Sequence, residues 1–394
     1  MILVLLILCG SYIGEQVIKY CLVARFLKPR EANRISLKKN EFSILILQPI
    51  LSGDLSLEEC LTKNLLATSK LNRHFLWLID ETDLEAQHIC LLIKNKYPKQ
   101  RITIKLLPNA PLNVNPKIFK LQIGSRFFTE DFIAVLDDDT VLPNFGLDKT
   151  VFTLLEEKSG LAFGLPFYKN FRSFWSGFVS LFVNSNSLLT YISYIRFIPP
   201  MTINGMFYVL SKKSFEKING FKGLEYQLCD DFAMASKAKK HQLALIQTSV
   251  IHAISTTIST GTQCFQILIR WMIFTKVSIL ESASLKEKLV FLTVVVLPKF
   301  VLLILIILVS LIQSKLSFSI LSIALLFQIT IATIINTSYL KSVTPFHYLF
   351  ALSIQNIIVP LIICSALLNS RSILWRRKKI VIKKNGTFKR VNPI

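Results

Sequence analysis

Apolar residues fall along the chain in runs of two lengths. Four long runs, residues 2–23, 289–312, 316–339 and 346–368, are each sufficient to cross a hydrocarbon core of roughly 30 Å as a helix. Between the first and second of them the runs are short. FSILIL (42–47), HFLWLI (74–79), residues 101–107, FIAVL at the head of segment 132–143, residues 160–168 and residues 243–252 are bounded by turn chemistry and read as strands. Residues 57–69, 86–96 and 113–128 carry helical spacing, and Asn115-Pro116-Lys117 opens the last of these. Gln48-Pro49 is expected to end the first strand. Strands alternating with helices predict an α/β domain with a mostly parallel sheet, helices on both faces, and transmembrane helices at both ends of the chain.

Two further stretches fit neither class. Residues 171–200 are rich in Phe, Tyr, Leu and Trp, with Arg172 and Arg196 near their ends and Ser and Asn between, and residues 263–280 are apolar and amphipathic. Their composition suits helices lying at a membrane surface, with large core helices as the alternative. The expected organisation is therefore an anchor at 1–24, a catalytic domain at 40–285 with interfacial helices around 171–200 and 263–280, membrane segments at 289–368 and a basic tail at 370–394.

Composition strengthens the membrane reading. Of 394 residues 52% are hydrophobic, and 46 Lys and Arg against 24 Asp and Glu leave a net charge of +22. Basic residues flanking apolar spans point to anionic lipid, and no Arg-Gly-rich or zinc-knuckle pattern suggests nucleic acid. The first run lacks an N-terminal positive charge and a small-residue cleavage site, so an uncleaved anchor is expected. Glu15 and Lys19 interrupt it four residues apart, on one helix face where they can pair. Arg25, Lys28, Arg30, Arg34, Lys38 and Lys39 follow, placing the catalytic domain in the cytoplasm of an integral membrane protein of a bacterial inner membrane or its equivalent. The tail residues Arg371, Arg376, Arg377, Lys378, Lys379, Lys383 and Lys384 also say inside, yet three spans from the cytoplasm would leave them outside. Re-entry at Pro298-Lys299 in the second run would resolve the conflict. Seven scattered cysteines suggest neither a disulfide framework nor a zinc site.

Chemistry concentrates where FIAVL meets Asp137-Asp138-Asp139. Ligands bind beyond the carboxyl ends of parallel strands. Along an extended chain Asp137 and Asp139 share a face, and two carboxylates can hold a hard divalent cation that binds phosphate oxygens. A solvated acidic turn is the competing reading.

The motif order QPI at Gln48-Pro49, IDETD ending at Asp83, NPK at Asn115–Lys117, LDDDT at Leu136–Thr140, CDDF at Cys229–Phe232 and IRW at Ile269–Trp271 resembles the family 2-type glycosyltransferases of GT-A fold. It is most similar to their ceramide glucosyltransferase-like branch, which includes bacterial hopanoid-pathway enzymes. Trp375-Arg376-Arg377-Lys378 resembles that branch's WRG tail. The resemblance implies transfer of a sugar from a nucleotide-sugar, of UDP-glucose or UDP-GlcNAc type, to the hydroxyl of a ceramide-like or hopanoid-like lipid, with inversion. By the same resemblance Asp83, with Asp80 as the second candidate, contacts the base or ribose. Asn115, Lys117 and Asp137 lie at the nucleotide-sugar, and Asp137 and Asp139 hold Mn²⁺ or Mg²⁺. Asp231 is the general base, and Arg270 and Trp271 end a (Q/R)xxRW motif near the leaving group.

The chain departs from that pattern at Ile267, where Gln or Arg is expected and Gln266 stands one residue early. Residue by residue, other readings are open. Asp231 can cap a helix beginning at Phe232, Arg270-Trp271 can anchor at the interface, Lys117 can be a solvated lysine, and His252 can be structural. A processive polysaccharide synthase, a polyprenyl-phosphate glycosyltransferase and an inactive membrane scaffold are the alternative functions.

Overall fold

The computed structural model describes residues 1–28, 37–368, 371–375, 378–383 and 386–391. Of the basic positions singled out by sequence, Arg30, Arg34, Arg376, Arg377 and Lys384 lie outside the described residues. The chain forms two compact units: an α/β unit of residues Glu31–Pro166, Pro200–Thr257 and Leu374–Ile394, and a helical unit of Met1–Arg30, Phe167–Pro199 and Ile258–Ile373.

An eight-stranded sheet organises the α/β unit. Strands β1 (Ser43–Ile50), β2 (Asn72–Asp80), β3 (Ile102–Leu107) and β4 (Phe132–Leu136) run parallel in the order β3-β2-β1-β4. A two-residue β5 (Thr140–Val141), β6 (Leu161–Tyr168), β7 (Phe207–Ser211) and β8 (Leu245–Ile254) complete the order as β7-β6-β8-β5. Strand β7 is antiparallel to β4, so its start lies beside the carboxyl end of β4.

The sheet is apolar on both faces. Ile44, Ile46, Phe75, Trp77 and Ala134 pack on one side with helices α2 (Leu57–Leu66), α3 (Leu84–Lys96) and α5 (Gly146–Glu157). Leu45, Leu47, Leu76, Leu78 and Val135 pack on the other with α4 (Pro116–Gly124), α8 (Lys212–Lys217) and α9 (Asp230–Lys240). Two apolar faces cannot fix register by an in–out pattern. A buried hydrogen bond from Trp77 Nε1 to Gln48 Oε1, 2.9 Å, ties β2 to β1 at the register partners Gln48 and Trp77. Leaving such a pair unmade in a slipped register would cost about 1–3 kcal/mol.

Strand β1 runs through Gln48-Pro49 rather than ending there. Its pairing with β4 stops at Leu47, while pairing with β2 continues to Ile50. Pro49 thus stands where the strand has lost one neighbour, which is where a residue without an N–H is tolerated.

Four helices of the helical unit have the length and apolarity to cross a membrane: Ile2–Leu27 (α1), Leu285–Ile312, Lys315–Tyr339 and Phe346–Leu368. Glu15 and Lys19 pair on α1. Pro298-Lys299 does not break the Leu285–Ile312 helix into a re-entrant hairpin. The helix passes through a π-helical turn, Leu292–Val296, just before Pro298. Proline gives no N–H back to that turn, and the Lys19 ammonium donates to the Val294 carbonyl within it at 2.7 Å.

Residues 171–200 contain two helices, α6 (Phe174–Asn184) and α7 (Ser187–Phe197), and residues 263–280 lie in α10 (Gly261–Thr275) and a π-helical extension, Lys276–Leu280. All of these belong to the helical unit.

The tail forms a small sheet of β9 (Ser372–Trp375), β10 (Lys378–Ile382) and β11 (Phe388–Val391). It bonds back to the α/β unit, with Leu228 N donating to Gly386 O at 3.2 Å and Arg390 N donating to Asn113 Oδ1 at 2.8 Å. Tail and α/β unit therefore share one side of the membrane.

Candidate active site

Parallel strands deliver their carboxyl ends to one edge, and that edge carries the cavity. It measures about 300 Å³ and is lined by Pro49–Ser52 at and just past the end of β1, Asp54, Asp80, Pro116, Lys117, Lys120, Asp137–Asp139 and Thr256. The three consecutive aspartates are held in three ways. Asp137 Oδ1 accepts from the Lys117 ammonium at 2.7 Å. Asp138 Oδ2 accepts from Leu51 N at 2.7 Å and so ties the turn after β4 to the loop after β1. Asp139 Oδ2 accepts from Thr256 Oγ1 at 2.6 Å, just past β8.

Helix α4 supplies the two cations. Asn115 caps it by accepting from Lys117 N and Ile118 N, and Pro116 occupies its first turn, which suits an N–H-less residue. Lys117 and Lys120 then lie one turn apart on the same face. Lys117 Nζ reaches Asp137 Oδ1, Asp230 Oδ2 at 3.2 Å and Gly205 O at 2.8 Å. Lys120 is buried, and its Nζ reaches Asp80 Oδ2 at 2.9 Å and Ile50 O at 2.8 Å.

Helix α9 begins at Asp230, with Cys229 rather than Asp231 at the cap position and without a side-chain cap bond. Asp231 therefore sits in the first turn, where the helix dipole favours a carboxylate. Its Oδ1 accepts from Cys229 Sγ at 2.9 Å and Phe232 N at 2.7 Å. Gly205 backs it closely, since a Cβ there would meet Asp231 Cβ at 2.9 Å.

Negative charge exceeds positive in the cavity, with five lining aspartates against two lysines. Burial pushes the Asp137 carboxyl up to about 7; Lys117 opposes this, while Asp139 and Asp230 add to it. Asp139 is also raised, by burial, against the pull of the Thr256 and Thr140 hydroxyls. Burial and the neighbouring Asp230 charge raise Asp231, and Cys229 and Phe232 partly offset them. Burial pulls the Lys117 ammonium down, but Asp137 and Asp230 outweigh it and hold it charged well above its ordinary range.

Lys117, Asp137 and Asp139 thus meet in one cavity, and Asp230, beside Asp231, is joined to them through Lys117. Asp83 and Asn115 do not line it. Asp83 caps α3 through Ala86 N and accepts from Ser52 N at 2.9 Å. Burial would raise its carboxyl, but those bonds and the Lys120 charge hold it below the usual range. Asn115 is buried and donates to Gln227 O at 3.0 Å, fastening the segment that leads into α9. Arg270 and Trp271 lie on α10 in the helical unit, where the Trp271 ring stacks on Phe182 at 6.3 Å. That helix carries no bulge, so Gln266 stands one turn before Arg270 on the same face. His252 is fully buried inside β8 with Nε2 3.2 Å from Asn204 Oδ1, and burial depresses it to about 3, so it is a neutral structural group.

Sequence reasoning missed Lys120, Asp54 and Thr256. Lys120 was signalled by its spacing from Lys117. Asp54 accepts from Thr257 N at 2.8 Å across more than two hundred residues, and no local pattern announces that pairing.

Residues 6–388 match glycosyl transferase family 21. A solved structure, mannosyltransferase PcManGT from Pyrobaculum calidifontis in complex with GDP-Man and Mn²⁺, is similar with a TM-score of 0.50 over 90% of this chain and 98% of that chain, at 14% identity. At that identity the likeness carries the fold alone, which is GT-A with membrane helices. No curated protein matches the sequence. With nearly its whole length matched, the chain belongs to glycosyl transferase family 21 and is a membrane-embedded glycosyltransferase.

Proposed function

We propose that the protein transfers a sugar from a nucleotide-sugar, of UDP-glucose or UDP-GlcNAc type, to the hydroxyl of a ceramide-like or hopanoid-like membrane lipid. The observation that carries the reading is the carboxylate-rich cavity beyond the parallel strands, with Asp137 and Asp139 in one wall and Lys117 between Asp137 and Asp230.

Two half-buried hard-oxygen carboxylates in a net negative cavity fit a divalent cation, Mn²⁺ or Mg²⁺. Among the described residues no three His, Cys, Asp or Glu side chains cluster as a site of their own. Asp137 and Asp139 would hold the ion together with the bound nucleotide-sugar; the structurally similar mannosyltransferase was solved in complex with GDP-Man and Mn²⁺. When bound, the ion supplies Lewis-acid stabilisation of charge on the departing diphosphate.

The chain's own groups do the rest. Lys117, whose three N–H groups hold Asp137, Asp230 and the Gly205 carbonyl, fixes those carboxylates and adds a positive charge beside the phosphates. Asp80, held by Lys120, faces the nucleotide from the cavity wall. Asp83 orders the Ser52 loop, and Asn115 fixes the approach to α9. Asp231 takes the acceptor proton at Oδ2, since Oδ1 is engaged by Cys229 and Phe232. One displacement with one base inverts the anomeric centre. Arg270 and Trp271 act at the leaving group and acceptor, and α6, α7 and α10 are interfacial helices that admit the lipid. The α/β unit faces the cytoplasm.

The reading is tested with protein in nanodiscs of a total lipid extract, supplied with radiolabelled nucleotide-sugars with and without Mn²⁺. Metal-dependent label in one lipid band, absent in Asp231→Asn, is expected. Label that enters lipid equally without metal, or with Asp231→Asn, contradicts the assignment.

A further inference from the structure

Among the spanning helices lies a second polar cavity, unconnected with the chemistry above. It measures about 30 Å³ and is lined by Tyr12, Gln16 and Lys19 of α1, Ser185 and Asn186 between α6 and α7, Lys299, and Gln328 and Asn356 of the later helices. All of these belong to the helical unit. Ionisable groups inside a membrane bundle are expensive and are kept where they bind something.

We propose that this cavity binds the phosphate of an anionic membrane lipid. The charges are unequal. Lys19 is matched by Glu15 and by the Val294 carbonyl. Lys299 donates to the neutral Asn186 Oδ1; Lys19 and Glu15 are its neighbouring charges, and that one carboxylate is bonded to Lys19, leaving two ammonium groups to one carboxylate. An ammonium has three N–H groups, so Lys299 keeps donors to offer. Ser185 Oγ, in the same lining, is buried without a partner. Gln328 and Asn356 satisfy each other through two amide bonds of 3.0 and 2.8 Å and form a neutral wall. The cluster is thus a donor-rich notch with one excess positive charge. A volume of about 30 Å³ admits roughly two water-sized groups, which suits two phosphate oxygens while the rest of the lipid stays in the bilayer.

Its depth fits a headgroup. Lys299 stands about 20 Å from the far end of the Leu285–Ile312 helix at 1.5 Å per residue, nearer the Leu285 end of a hydrocarbon core of roughly 30 Å, and its side chain tilts toward that end. Lysine stems reach further toward the interface. Arg25 and Lys28 close α1 at that end, and Lys286 and Lys288 open the Leu285–Ile312 helix beside them. Basic residues at one membrane face mark the side that meets anionic lipid.

Native mass spectrometry of the full chain released from phosphatidylcholine–phosphatidylglycerol nanodiscs tests this. Wild type should retain one phosphatidylglycerol with about fivefold preference over phosphatidylcholine. Lys299→Gln should lose the preference, Lys299→Arg should keep it, and Lys315→Gln, an exposed lysine at the other helix end, should leave it unchanged. Millimolar inorganic phosphate should not displace the lipid. Equal retention of the two lipids by wild type, an undiminished preference in Lys299→Gln, or displacement by phosphate alone would each overturn the proposal. If Lys299→Gln does not fold, the wild-type lipid ratio and its persistence in Lys299→Arg decide.

Discussion

Two half-buried lysines, Lys117 in the α/β unit and Lys299 among the membrane helices, sit in opposite electrostatic company. Lys117 is outnumbered by carboxylates, with Asp137 and Asp230 in contact and Asp139 beside them. Lys299 has an amide oxygen for a partner and a second ammonium in its lining. The same residue type therefore marks different ligands. An excess of negative charge calls for a cation, which then recruits a diphosphate. An excess of positive charge calls for a phosphate directly. In both places the burial that makes the imbalance costly also makes the ligand specific.

Breaking the negative cluster should have the largest consequences. Asp231→Asn should lower transfer by ~10²–10⁴-fold while nucleotide-sugar binding is retained, because only the proton acceptor is lost. Single-turnover transfer and equilibrium donor binding separate the two. Lys117→Met removes one partner of a half-buried pair and leaves Asp137 and Asp230 facing each other. A loss of about 2 kcal/mol in the cation-free protein is expected by denaturant unfolding, with part of it restored by Mn²⁺ and nucleotide. A fall in stability that Mn²⁺ does not touch would assign Lys117 a purely structural role.

Acidity sharpens the same point. Asp137 sits at about 7 in the cation-free protein, above its ordinary 3.8. A carboxyl raised in this way holds a proton that a cation must displace. Metal affinity should therefore rise with pH by up to about tenfold per unit below 7 and level off above it. Calorimetric titration of Mn²⁺ at several pH values measures the slope. The smallest effect is expected at Gly205→Ala, whose Cβ would lie 2.9 Å from Asp231 Cβ. That displacement of the base should lower kcat by about tenfold with the donor KM unchanged.

Much of this architecture was legible in the sequence. Strand–helix alternation, the capped Asn115-Pro116-Lys117 turn, the aspartates after β4 and the four long apolar helices are local patterns, and local patterns survive into structure. What was not legible depends on pairs far apart in the chain. Two aspartates stand within three residues at the end of β2, and sequence favoured Asp83 for the nucleotide. Only the fold separates Asp80, which meets Lys120 in the cavity, from Asp83, which caps α3. Likewise, the alternation of side chains placed Asp137 and Asp139 together, but could not show that Lys117 already bridges Asp137 to Asp230. Pro298 read as a break because the carbonyl partner that lets the helix continue, Lys19, lies in a helix nearly three hundred residues earlier.

Donor binding to Asp139→Ala and wild type, measured by calorimetry with and without Mn²⁺, tests most directly whether the unbalanced aspartates form a cation-and-diphosphate site. The charge balance predicts that Mn²⁺ tightens nucleotide-sugar binding to wild type by at least tenfold, and that Asp139→Ala loses this gain while remaining folded. Equal donor affinity with and without the ion, unchanged by Asp139→Ala, would contradict it.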